Sequence, residues 1–109
     1  AKLGPRSDVY SLGVMLYELV TDALPFQAEQ ALDLYRKIVE ERPQSFAERG
    51  VLEPALETIC FKAMAKEPDD RYATAAELAD DLERHLRGEA PLADRETSLA
   101  RVARRVEKH

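Results

Sequence analysis

Tryptophan is absent, aromatic residues make up only 6% of the chain, and cysteine occurs once, as Cys60. A single thiol excludes an internal disulfide and any zinc site built from cysteines, and it makes a reducing, cytoplasmic setting the natural default. No run of about eighteen apolar residues occurs, so the sequence holds no helix suited to crossing a bilayer. No signal-peptide pattern opens it either. Excess positive charge is also lacking. The net charge is −5, which argues against nucleic-acid binding, since a basic surface is needed to displace counterions from phosphates.

What remains is a chain of 109 residues, 45% hydrophobic and 34% charged, suited to one compact core with well-solvated outer faces. It opens on Ala1 rather than Met, which reads as a segment of a longer protein. Charge is unevenly spread. Residues 94–109 carry five basic and three acidic side chains, a local +2 that leaves −7 on the rest. A basic tail on an acidic body marks a boundary. The expected division is therefore a folded part over residues 1–88 and a linker with a basic amphipathic helix over 89–109.

No stretch alternates as a strand would, and the reading is all-α, with four to five helices. The first runs from Ser7 to Thr21, with Ser7 and Asp8 as capping types. Behind them Val9, Tyr10, Leu12, Val14, Met15, Leu16, Tyr17, Leu19 and Val20 are broken by little polarity. A helix apolar nearly all round is buried on nearly all sides, yet the chain offers little material to surround it. A second helix is expected over Gln27–Glu41, with Ala31, Leu34, Tyr35 and Ile38 inward, and Pro43 ending it. Gly50 marks a turn in the loop that follows. Pro54 suits a first helical position, and Leu56, Ile59, Cys60, Ala63 and Met64 form the stripe of a third helix that Pro68 terminates. Thr74 and Glu77 have capping-box spacing. Leu78, Leu82 and Leu86 follow at steps of four, and Gly88 falls where a left-handed cap belongs. A last helix is expected from about Ser98.

The string Ser7-Asp8-Val9-Tyr10-Ser11-Leu12-Gly13-Val14, continued by Leu16-Tyr17-Glu18-Leu19 and Pro25-Phe26, resembles the central helix of the large lobe of eukaryotic-type protein kinases. Downstream, Lys66-Glu67-Pro68-Asp69-Asp70-Arg71-Tyr72 is similar to the late Lys-x-Pro-x-x-Arg-Tyr segment of the same family. Two motifs in the right order make the resemblance strong over residues 1–88, and its flavour is that of bacterial serine/threonine (Hanks-type) kinases. The implied fold is the helical C-terminal subdomain of the large lobe. The resemblance implies that Asp8 accepts hydrogen bonds from the catalytic-loop backbone, and that Met15 and Leu19 support the hydrophobic spines. It also implies that Arg71 pairs with a glutamate lying before Ala1. The family usually has glycine where Asp22 stands, but aspartate tolerates the left-handed conformation.

The family's chemistry needs a phosphate-binding lysine, a glycine-rich cover, a catalytic aspartate and metal-binding side chains. None of Gly-x-Gly-x-x-Gly, His-Arg-Asp or Asp-Phe-Gly occurs here. No catalytic, cofactor-binding or metal-binding residue is therefore expected in this chain. ATP and magnesium belong to the parent kinase, and this piece alone is expected to be inactive. Its partners are the remainder of the kinase domain and protein substrates or regulators. The tail 94–109 is read either as a solvated helix or as a juxtamembrane element meeting anionic lipid, with the parent anchored after residue 109. The alternative reading is a pseudokinase-derived or non-catalytic helical interaction module. Cys60 lies on its helix's apolar stripe and reads as a packing residue. His85 reads as a surface or semi-buried histidine, the turn pair Asp69-Asp70 as solvated, and the helical pair Asp80-Asp81 as carboxylates that point in different directions, neither pair being read as metal ligands.

Overall fold

A computed structural model describes residues 4–94. Among them are four α-helices: α1 (Pro5–Thr21), α2 (Ala31–Glu40), α3 (Pro54–Ala63) and α4 (Ala75–Leu86). Short 3-10 turns occupy Ala47–Arg49 and Pro68–Asp70, and the described residues contain no strand. The all-α expectation holds.

Helix α1 begins two residues earlier than expected. Extended Gly4 precedes it, Pro5 takes the first helical position, and the Gly4 carbonyl accepts the Ser7 and Asp8 amides, both at 3.0 Å. Proline's fixed φ is already helical and its missing N–H costs nothing there, so Ser7 and Asp8 fall inside the first turn instead of capping it. At the other end Asp22 adopts the left-handed conformation (φ 58°) and donates its N–H to Glu18.

The core is the crossing of α1 and α3. Val9, Gly13 and Tyr17 form the buried row of α1, and Ile59, Cys60 and Ala63 that of α3. Gly13 sits at the closest approach. A Cβ added there would lie 2.7 Å from Met64 Cγ and 2.9 Å from Ala63 Cβ. The Cys60 thiol donates to the Gly13 carbonyl at 3.3 Å. To one side Val9, Ile59 and Ala63 join Tyr72, Leu78 and Ala93; to the other, Tyr17, Cys60 and Met64 join Phe46. Tyr17 and Phe46 meet edge to face with ring centres 5.7 Å apart, a favoured aromatic geometry.

The loop between α2 and α3 is held by polar contacts. The Tyr17 hydroxyl donates to the Gln44 carbonyl at 2.7 Å, Arg49 Nε donates to that hydroxyl at 3.2 Å, and the Phe46 amide donates to Glu57 Oε2 at 2.6 Å. Gly50 has φ 84°, as a turn glycine should.

Helix α2 is shorter than Gln27–Glu41 and has no buried residue. Leu34 and Ile38 are half-buried, whereas Ala31 and Tyr35, expected inward, are exposed. The helix carries two apolar rows, and the row of Leu32, Tyr35 and Val39 faces out. It is tethered by lysines: Lys37 Nζ donates to the Gln27 carbonyl at 2.8 Å, and Lys66 Nζ donates to that of Ile38.

Helix α3 ends at Ala63, before Pro68, which instead opens a 3-10 turn. At α4 the Thr74 hydroxyl accepts the Glu77 amide at 3.2 Å, while the Glu77 carboxylate reaches the Ala73 amide at 3.0 Å, one residue beyond the usual box partner. Gly88 is left-handed as expected (φ 80°). The leucine row drifts off the core: Leu78 is buried, Leu82 half-buried and Leu86 fully outward. Steps of four overshoot a helical turn by about 40° each. Residues 92–94 are already helical, and the helix expected from Ser98 lies outside the described residues.

Candidate functional site

The side of α1 away from α3 is left open. Asp8, Leu12, Met15 and Leu19 succeed one another at steps of four, three and four, which aligns them along one face. All four are exposed: Leu12 by 37%, Met15 by 57% and Leu19 by 82%, with Asp8 at the head of the row. Three apolar side chains in line, on the helix that anchors the core, form an unsatisfied stripe with a carboxylate at one end. Such a stripe fits a protein surface, because continuous apolar exposure marks interaction sites more than scattered leucines do.

The structure thus brings Asp8, Met15 and Leu19 together and adds Leu12. Arg71 stands apart. Its guanidinium lies over the Tyr10 ring at 4.8 Å, and Tyr10 points about 200° round the helix from Asp8. Backbone carbonyls hold Arg71: Nε donates to Ala65 at 2.8 Å, Nη1 to Arg6 at 3.2 Å and Nη2 to Lys66 at 3.4 Å. Arg6 Nη1 donates in turn to the Pro68 carbonyl at 3.1 Å and to that of Arg71 at 3.5 Å. Burial lowers the Arg71 pKa, with Tyr10 opposing and Arg6 assisting; burial raises that of Tyr10, against the pull of Arg71. An open groove lined by Arg6, Ser7, Pro68 and Arg71 lies at this corner.

The remaining candidates are structural. Cys60 is fully buried, and burial pushes its thiol up to about 12, with Glu57 adding to the shift. A thiol so placed is not a nucleophile at neutral pH. His85 is partly exposed, 3.8 Å from Glu53. Asp69 and Asp80 are exposed, whereas Asp81 is buried and hydrogen-bonded. Adjacent helical residues point about 100° apart, so one of two neighbouring carboxylates faces water while the other enters the core. No group of three or more His, Cys, Asp or Glu side chains that could hold a metal occurs among the described residues. No helix among them is long and apolar enough to cross a membrane.

Sequence reasoning named Leu12, Lys66 and Asp81 without giving any of them a role of its own. Leu12 had a signal, its spacing of four from Asp8. Lys66 and Asp81 had none, since their partners lie on other elements.

No protein-family model matches the chain. Curated relatives do. It is 44% identical over 87 residues to "Serine/threonine-protein kinase PknB" of Mycolicibacterium smegmatis, covering 79% of this chain and 14% of that protein. It is 41% identical over 90 residues to "Probable serine/threonine-protein kinase PknB" of Bifidobacterium longum, covering 81% and 13%. It is 34% identical over 82 residues to "Serine/threonine-protein kinase PknD" of Chlamydia felis, covering 75% and 9%. The chain therefore spans only about a seventh or less of the relatives it matches.

Proposed function

The chain is homologous to part of the bacterial serine/threonine-protein kinases, and from that premise we propose that it is the scaffold half of a kinase large lobe. In the whole protein the reaction is transfer of the ATP γ-phosphate to protein serine or threonine. ATP and magnesium are held by the remainder of the domain, and this segment supplies no catalytic side chain.

The observation that carries the reading is the open row on α1. Leu12, Met15 and Leu19 would be covered by the remainder of the kinase domain, at about 1.5–3 kcal/mol for each side chain fully buried. Asp8, at the head of the row, would accept backbone N–H groups of the catalytic loop, charge-assisted bonds worth roughly 1.5–3 kcal/mol each. Arg71 would offer its guanidinium at the Arg6 corner to a glutamate of the preceding segment. The parent's setting in this reading is the cytoplasm, with 94–109 as a juxtamembrane stretch. Protein substrates or regulators complete the partners.

The test is made in the whole protein. Leu19→Lys and Asp8→Ala are introduced separately and assayed for phosphorylation of a protein substrate, alongside hydrogen exchange of the α1 and α3 core amides. Activity should fall at least about tenfold while the Val9, Tyr17 and Ile59 amides keep their protection. Undiminished turnover in both variants would defeat the assignment of this face. A parent with no phosphotransfer even in its native form would favour the non-catalytic interaction module.

A further inference from the structure

Asp81 is the one charged side chain buried among the described residues, at 1% exposure. Its carboxylate is crowded with donors. Oδ1 accepts the Leu92 amide at 2.7 Å, and Oδ2 accepts the Ala93 amide at 3.1 Å and the Tyr72 hydroxyl at 2.6 Å. Arg84 Nε stands 3.7 Å from Oδ1. These partners come from three places: the loop before α4, α4 itself and the segment that leaves it.

The two amides are special. Residues 92–94 are helical, and the first N–H groups of a helix have no partner within it. Such groups are usually met by a Ser, Thr, Asp or Asn just ahead of the helix. Pro91 stands there instead and has no side-chain acceptor. Asp81, ten residues upstream, supplies the missing oxygens. Packing agrees: Pro91 and Ala93 are both buried, and Ala93 lies in the cluster with Val9, Ile59 and Leu78. Tyr72, bound to the same carboxylate, is fixed in turn by the Lys62 ammonium 4.9 Å over its ring.

We propose that Asp81 is a tertiary helix cap that fixes residues 92–94 against the α1–α3–α4 body. The exit from the folded unit is then a rigid joint instead of a loose linker. A force or rotation applied to whatever follows residue 94 reaches the α1–α3 core through Asp81, Tyr72 and Ala93. This holds whether or not the kinase reading does.

Hydrogen exchange in the intact protein tests it. Asp81→Asn puts an amide group, itself a donor, among donors, so at least one of the two backbone N–H groups loses its acceptor. The Leu92 and Ala93 amides should exchange about tenfold faster or more, while Val9 and Tyr17 on α1 stay as in the native protein. Unchanged exchange at both Leu92 and Ala93 overturns the proposal. Should Asp81→Asn accelerate every amide alike, Leu92→Pro decides. It removes one of the two N–H donors at a position where proline fits a first helical turn. Faster exchange confined to Ala93 and its neighbours then supports the joint, and an unaltered Ala93 refutes it.

Discussion

Gly13→Ala is the substitution whose consequence the α1–α3 crossing makes most definite. Two effects oppose each other. Alanine is the better helix former by about 0.8–1 kcal/mol, and in an exposed helix it would stabilise. At Gly13, however, the new methyl would lie 2.9 Å from Ala63 Cβ and 2.7 Å from Met64 Cγ, with the Ala63 carbonyl carbon at 3.4 Å. Met64 can swing its flexible chain aside. Ala63 Cβ is fixed to the backbone of α3, so relief there requires the helices to part by several tenths of an ångström. That separation would also stretch the Cys60–Gly13 hydrogen bond, 3.3 Å at rest. Overpacking of this kind costs about 1–3 kcal/mol, so the net expectation is a loss of about 0–2 kcal/mol after the propensity gain. Thermal unfolding of the intact protein measures it, and Ala63→Gly supplies the control. Removing the opposing methyl should make Gly13→Ala less harmful in that background, with a favourable coupling of about 0.5 kcal/mol or more. A higher melting temperature for Gly13→Ala alone, or strict additivity of the pair, would refute the close-crossing account.

Alkaline pH should destabilise the fold through Cys60, whose thiol moves from 9.0 when exposed to about 12 when buried. Below pH 9 both states keep the proton and nothing is lost; above it the unfolded chain releases the proton and the folded one does not. Stability therefore falls as pH rises from 9.0 toward about 12, at up to about 1.4 kcal/mol per unit. Burial and the Asp81 contact raise Tyr72 as well, but its exposed value of 10.0 puts that contribution higher in pH. Denaturant titrations at several values between about pH 8 and 10 should thus show a slope that Cys60→Ala flattens; equal slopes would count against the burial argument. Lys66→Met should loosen the C-terminal end of α2, because the lysine bonds the Ile38 carbonyl and lies 4.6 Å over the Phe26 ring. The expected cost is about 1 kcal/mol, read as faster exchange at the Glu40 and Glu41 amides, and unaltered exchange there would show that α2 is held otherwise.

Local chemistry made most of the helices legible. Pro54, Thr74, Gly50 and Gly88 each act where their backbone preferences put them, and the stripe Ile59, Cys60, Ala63, Met64 is buried as its spacing requires. The errors have local causes too. Pro5 was passed over in favour of Ser7 and Asp8, although a proline at the first position outranks two caps that lie further in. On α2 the row of Leu32, Tyr35 and Val39 competes with that of Leu34 and Ile38, and periodicity cannot say which one meets the core.

Helix α1 poses that ambiguity in its strongest form. An apolar surface all round carries no phase, so its hydrophobicity alone cannot separate a row that packs from a row that waits. Gly13 breaks the symmetry, because only a glycine row lets α3 approach closely enough to bury Cys60 and Ala63 together. Once that row is placed, the row of Leu12, Met15 and Leu19 is left without cover. Asp8, exposed at the head of that row, is the carboxylate whose proposed backbone donors the Asp8→Ala assay tests. Asp81 is the converse case: a charge whose burial no spacing signals, buried in the fold because its donors arrive from Tyr72, Leu92 and Ala93. Burial is decided by which groups meet across elements, and spacing along one element is blind to that.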